Sequence, residues 1–180
     1  MADDPLHTVT FKELKPAAND KGSNKQPYYR FSVMFTKRKD VTTDFFHQHW
    51  KTFHADLVMS ARNVGVQVSR YVQFHADEEL RPLFAGSGLT FSPYDGIAEF
   101  HAESPAHVKD LLSNVFADPA IIEDMGKFVD SSGINIMVGY ENLIYGSGIK
   151  TSGGIDGILP EDSRLVRGDK HSEKSADSEG

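Results

Sequence analysis

Residues 28–63 read YYRFSVMFTKRKDVTTDFFHQHWKTFHADLVMSARN, and the period of the apolar residues changes part-way along. Over 28–38, Tyr29, Phe31, Val33 and Phe35 alternate with Arg30, Ser32, Met34 and Thr36. Period two puts the two sets on opposite sides of a strand, one of them strongly apolar. Over 42–63, Phe46, Trp50, Phe53, Leu57 and Ala61 recur every three or four residues, which predicts an amphipathic helix. Thr42 or Thr43 can cap it, Asp44 suits the positive end of its dipole, and Gly65 follows its end.

The same reading extends outward. VQVSRYVQFHA (66–76) and YDGIAEFHAE (94–103) predict two more strands, joined by the irregular DEELRPLFAGSGLTFSP (77–93). Ser104-Pro105 is a helix start, with serine as cap and proline at the first helical position. PAHVKDLLSNVF follows as a helix, DPAIIEDMGKFV (118–129) adds one or two turns, and GINIMVGYENLIY (133–145) is the last strand. The order β-α-β-β-α-β predicts an α+β fold, a ferredoxin-like sheet with its helices on one face. The other face has no cover, and Tyr28, Met34, Tyr71, Ile97 and His101 are assigned to it. Groups of this size predict a homodimer. Outside the core of 28–146, residues 1–27 read as a flexible N-terminal arm. Residues 147–180 read as a largely disordered tail, in which GILPEDSRLV can dock.

Composition narrows the functions. Hydrophobic residues make up 39% of the 180, enough for a core, and the net charge is −7. The densest basic run is KRK at 37–39, so neither nucleic acid nor an anionic membrane is an expected partner. With no cysteine, thiolate metal sites, disulfides and cysteine nucleophiles are excluded. The first residues show no basic-then-apolar leader, and no apolar run reaches the roughly 20 residues of a membrane span. A soluble cytoplasmic protein is the expectation.

Three of the eight histidines and the only tryptophan fall within residues 44–57. Helical metal pairs usually sit four apart, whereas His47 and His49 point roughly 160° away from each other on a helix. Proton transfer is the stronger reading, because histidine needs only a small shift to act near neutral pH. Tyr71 and His75 share a strand face with Gln73 between them, and Asp95, Ile97, Glu99 and His101 share another. A cavity between helix and sheet is expected to gather Trp50, His54, Tyr71, His75 and Asp95. The plainer alternatives are Trp50 as core, Tyr71 and Tyr94 as core aromatics, Asp95 as turn chemistry before Gly96, and His47 and His107 as packed or solvated.

DFFHQHWKTFHADLV resembles the F-x-x-H-W…H-x-x-L-V signature of EthD-type proteins in the dimeric α+β-barrel superfamily. RYVQFHAD and YDGIAEFHAES are similar to the second and third strands of small fungal members, and the resemblance covers about 28–145. It implies a domain that pairs sheet to sheet and a cofactor-independent lyase of aromatic polyketide biosynthesis. Such an enzyme decarboxylates an anthrone-type carboxylic acid or dehydrates a hydroxylated pyranone. His54, His75 and Asp95 are the catalytic candidates, and His49, Trp50, Tyr71 and Tyr94 the substrate-binding ones. No metal or other cofactor is expected. A cofactor-free anthrone-type monooxygenase and a non-catalytic dimeric binding protein are the alternatives.

Overall fold

The computed structural model describes residues 10–15 and 24–165. Four strands, β1 (Lys25–Phe35), β2 (Arg70–His75), β3 (Gly96–Ala102) and β4 (Asn135–Asn142), form one antiparallel sheet in the order β2-β3-β1-β4. Between β1 and β2 runs a helical rod made of α1 (Thr43–His49), a π-helical turn (Trp50–His54) and α2 (Ala55–Ser60). The short α3 (Val64–Gln67) follows, and α4 (Pro105–Val115) and α5 (Pro119–Met125) cross from β3 towards β4. This is the ferredoxin-like topology that the order of periods predicts. Among the described residues no helix is long and apolar enough to cross a membrane.

The local signals work as their chemistry dictates. Thr42 Oγ1 accepts the Phe45 N–H at 3.2 Å, and Ser104 Oγ accepts that of His107 at 3.2 Å with Pro105 next in line. The core lies between helices and sheet. Phe31, Val33 and Phe35 of β1 and Ala98 and Phe100 of β3 meet Phe46, Trp50, Val58, Leu111, Ile121 and Phe128. Trp50 lies so close on β3 that a Cβ at Gly96 would sit 2.6 Å from its ring, so only glycine fits there.

Several expectations need correction. The strand expected over 66–76 is shorter, because 64–67 closes into α3 and extension begins only at Arg70. Phe53 is 73% exposed, while His54 takes the buried place. Tyr71 faces the helices, stacked on Phe100 at 4.5 Å, and does not belong to the open face. That face is more polar at its centre than expected. Arg30 pairs with Glu99 and with Glu141 (2.7 Å), and Tyr28 donates to Glu141 at 2.6 Å. Met34, Ile97 and Met137 surround this cluster in a groove of about 350 Å³.

The sequence gives 147–180 to a largely disordered tail, but residues 147–165 are docked. Ser152 Oγ meets His101 Nδ1 at 3.2 Å and the Ser69 hydroxyl at 2.9 Å. The buried Gln26 holds both backbone groups of Ile155, at 3.0 and 2.9 Å. Ile158 of GILPEDSRLV is buried, and Arg164 clamps Glu13 with two bonds of 2.9 and 3.0 Å. Of the N-terminal arm, 10–15 carry a short turn at Lys12–Leu14 and Lys25 opens β1, while 1–9, 16–23 and 166–180 lie outside the described residues.

Candidate active site

The buried residues of the rod are Phe46, Trp50, His54 and Val58, a strict four-residue repeat. On an α-helix each such step drifts by about 40°, so this row would wind off the core face. The π turn over Trp50–His54 takes up the drift, because its wider i→i+5 winding returns His54 beneath Trp50. The Ala55 N–H reaches back to the Trp50 carbonyl, as that winding requires.

The turn has a second consequence. His49 and His54 are separated by about 140° on a regular helix, yet here both reach one carboxylate. His49 Nε2 lies 2.9 Å from Asp124 Oδ1, and His54 Nδ1 lies 3.0 Å from Asp124 Oδ2. An ionised carboxylate only accepts, so each imidazole donates an N–H to it. Lys127 Nζ adds a third donor at 3.2 Å from outside. Phe128 packs against both imidazoles, with ring centres 5.3 and 5.0 Å away. Burial pushes the Asp124 carboxyl up, but the bonds from His54, His49 and Lys127 outweigh it and hold it below its ordinary value. Burial lowers His54, and the nearby Asp124 only partly opposes this, so the ring is neutral near pH 7.

With its Nδ1–H on Asp124, neutral His54 carries a lone pair on Nε2, which has no partner among the described residues. His54 lines an apolar cavity of about 30 Å³ together with Trp50, Tyr71, Phe100, Phe116 and Met125. Tyr71 brings the other polar group. Gln73 Nε2 donates to the Tyr71 hydroxyl at 2.8 Å, which leaves the phenol's own proton free. Burial raises the Tyr71 pKa, against hydrogen bonds from Gln73 and Trp50, so the phenol stays protonated.

The cavity thus joins Trp50, His54 and Tyr71, as the sequence predicts, but not His75 or Asp95. Asp95 Oδ2 accepts the Lys37 N–H at 2.8 Å, and the Asp95 backbone bonds Phe35 and Ala76, so it fastens the sheet end. Ile97 and Glu99 line the groove on the open face instead. His75 packs on Trp50, with ring centres 4.3 Å apart, and opens onto a separate polar cleft of about 530 Å³ with His47, Asp44 and Glu79. Burial, with the charges of His47 and Lys51, lowers its pKa to about 4. Tyr94 lies in the connection before β3, with its N–H on Ser92 Oγ, and His49 stands behind the cavity wall as a partner of Asp124. Asp124 is the residue that the sequence reading missed. Its signal is a carboxylate on the stripe Ile121, Asp124 and Phe128, all three buried.

The EthD domain family model matches residues 38–132. A crystal structure of an ethyl tert-butyl ether D (EthD) family protein from Bacillus halodurans is 15% identical with TM-score 0.44, over 63% of this chain and 98% of that one. An EthD-like protein from Ralstonia eutropha is 16% identical with TM-score 0.43, over 65% and 92%. A dimeric ferredoxin-like protein of unknown function from Thermobifida fusca is 12% identical with TM-score 0.40, over 67% and 92%. No curated protein matches. The family model spans the helical rod, β2, β3 and the Asp124 helix, more than half of the chain, and the chain therefore belongs to the EthD family.

Proposed function

We propose that this protein is a cofactor-independent lyase of an aromatic polyketide, with His54 as general base and Tyr71 as general acid. The observation that carries the reading is the His54–Asp124 pair, which leaves Nε2 with no partner among the described residues in a largely apolar cavity that Tyr71 also lines. Asp124 fixes the tautomer, as an orienting carboxylate does for a catalytic histidine. Trp50 and Phe100 supply flat walls for a conjugated ring system. The present cavity holds about one water, so ring binding displaces the half-buried Phe116 and Met125 on the helix side.

A neutral base favours reactions that begin by removing a proton, and dehydration of a hydroxylated pyranone is such a reaction. His54 Nε2 takes the proton from the carbon next to the carbonyl. The Tyr71 proton goes to the departing hydroxyl, which leaves as water, and the imidazolium proton then restores the phenol. Each such group contributes about 10²–10⁴-fold. In decarboxylation of an anthrone-type acid, His54 Nε2 takes the carboxyl proton, the carbon–carboxyl bond breaks to release carbon dioxide as the Tyr71 proton goes to the ketone oxygen, and the imidazolium proton then restores the phenol. A second copy is proposed to cover the open sheet face, on the support of the exposed Met137 (64%) of β4, which shares the groove there with Met34 and Ile97.

The test is turnover without oxygen and with metals chelated, on a hydroxylated naphthopyranone and, separately, an anthrone-type acid. Loss of water or of carbon dioxide, absent in His54→Gln, is the expected result. Product that forms only when air is admitted indicates a monooxygenase. Tight binding with no turnover under either condition indicates a binding protein.

A further inference from the structure

Gln73 ties the backbone of the π turn to the sheet, beside the side-chain bond between Trp50 and the Tyr71 hydroxyl. Its Nε2 donates to the Trp50 carbonyl at 3.0 Å and to the Tyr71 hydroxyl at 2.8 Å, and its Oε1 meets His75 Nε2 at 3.2 Å. The Trp50 carbonyl is the one that also accepts Ala55 N–H and so closes the wide turn. Gln73 sits on β2 with Tyr71 and His75 on the helix-facing side, under the rod. One amide therefore touches the turn that aligns His49 with His54 and the phenol across the cavity.

We infer that Gln73 is a positioning residue that holds the π turn in register with β2, and through it aims His54 and Tyr71 at the same cavity. As a statement about catalysis this rests on the proton-transfer reading above; as a statement about side-chain placement it does not. An α-helical return over 50–54 would turn His49 and His54 apart and release one of them from Asp124. A second effect falls on Tyr71, whose hydroxyl would lose one of its two partners, keep only Trp50, and gain freedom to turn its proton.

Two variants test this. Gln73→Leu removes both donors, and Gln73→Glu keeps the shape and an acceptor for His75 but, when ionised, cannot donate to the Trp50 carbonyl. The readout is the imidazole ¹⁵N spectrum of the unliganded protein, followed through a pH titration, beside kcat and KM on the hydroxylated pyranone. In folded variants the Asp124-bonded N–H signal of His49 or His54 is expected to disappear and the His54 titration to move. The kcat is expected to fall roughly tenfold or more with KM little changed. Unchanged imidazole signals and titration in a folded variant would overturn the inference, as would failure of both variants to fold, which would make Gln73 a general fastener. If the wild type turns nothing over, the lyase reading falls while the imidazole comparison still decides the role of Gln73.

Discussion

His49 and His54 hold the two oxygens of the Asp124 carboxylate at 2.9 and 3.0 Å, from positions that a regular helix would turn to different sides. The π turn between them makes this possible. Donors on both oxygens fix the carboxylate, and the fixed carboxylate fixes which nitrogen of His54 is free. The arrangement is a chain of placement that starts in backbone winding and ends at one lone pair.

Removing the carboxylate tests that chain. Asp124→Asn keeps the volume but leaves one of the two imidazole N–H groups facing an amide NH₂. A buried hydrogen bond to a charged group is worth about 1.5–3 kcal/mol, so the loss of stability is expected in that range. Chemical denaturation of the variant and wild type measures it.

The exposed and buried aromatics of the rod separate cleanly. Phe53→Ser is expected to change stability by no more than about 0.5 kcal/mol, because the side chain is 73% exposed. Phe46→Ala empties a fully buried site and is expected to cost about 3–5 kcal/mol. Paired thermal and urea transitions decide both.

This contrast also marks how far the sequence could be read. Two periods, and the places where they switch, were enough for the β-α-β-β-α-β order, because strand and helix differ in period wherever one side is buried. Thr42, Ser104 and Pro105 act in the structure as their capping chemistry implies. The π turn has no such signal in a three-or-four template, so Phe53 reads as core although it is exposed and His54 is buried in its stead. Asp124 lies 70 residues from His54, and only its place on the stripe of Ile121 and Phe128 hints at it. Asp95 reads in the sequence as one of the gathered acid/base groups, whereas the fold sets it outside the cavity with its Oδ2 on the Lys37 N–H.

Gly96→Ala is expected to destabilise the fold by roughly 1–3 kcal/mol, since the new Cβ would lie 2.6 Å from the Trp50 ring. The indole must then leave its seat, so the cavity changes shape as well. Trp50 fluorescence on the folded variant reports the displacement, and a transition curve reports the loss.

Acid is expected to weaken the protein through His75. Its pKa in the fold is about 4, below the ordinary 6.5, so the unfolded chain takes up the proton first. The contribution is full above about pH 6.5 and is lost as pH falls towards 4. His54 is lowered in the same direction and adds to the effect. Denaturation midpoints at pH 7.5 and pH 5 measure the slope, and His75→Gln is expected to flatten it.

His54 is proposed to remove a proton from carbon. The most direct measurement is deuterium uptake from D₂O into the acidic carbon of an anthrone or pyranone ketone, followed by NMR without oxygen. Wild-type protein is expected to speed this exchange and His54→Gln to lose the effect, with Asp124→Asn in between. Equal exchange by wild type and a folded His54→Gln would contradict the account.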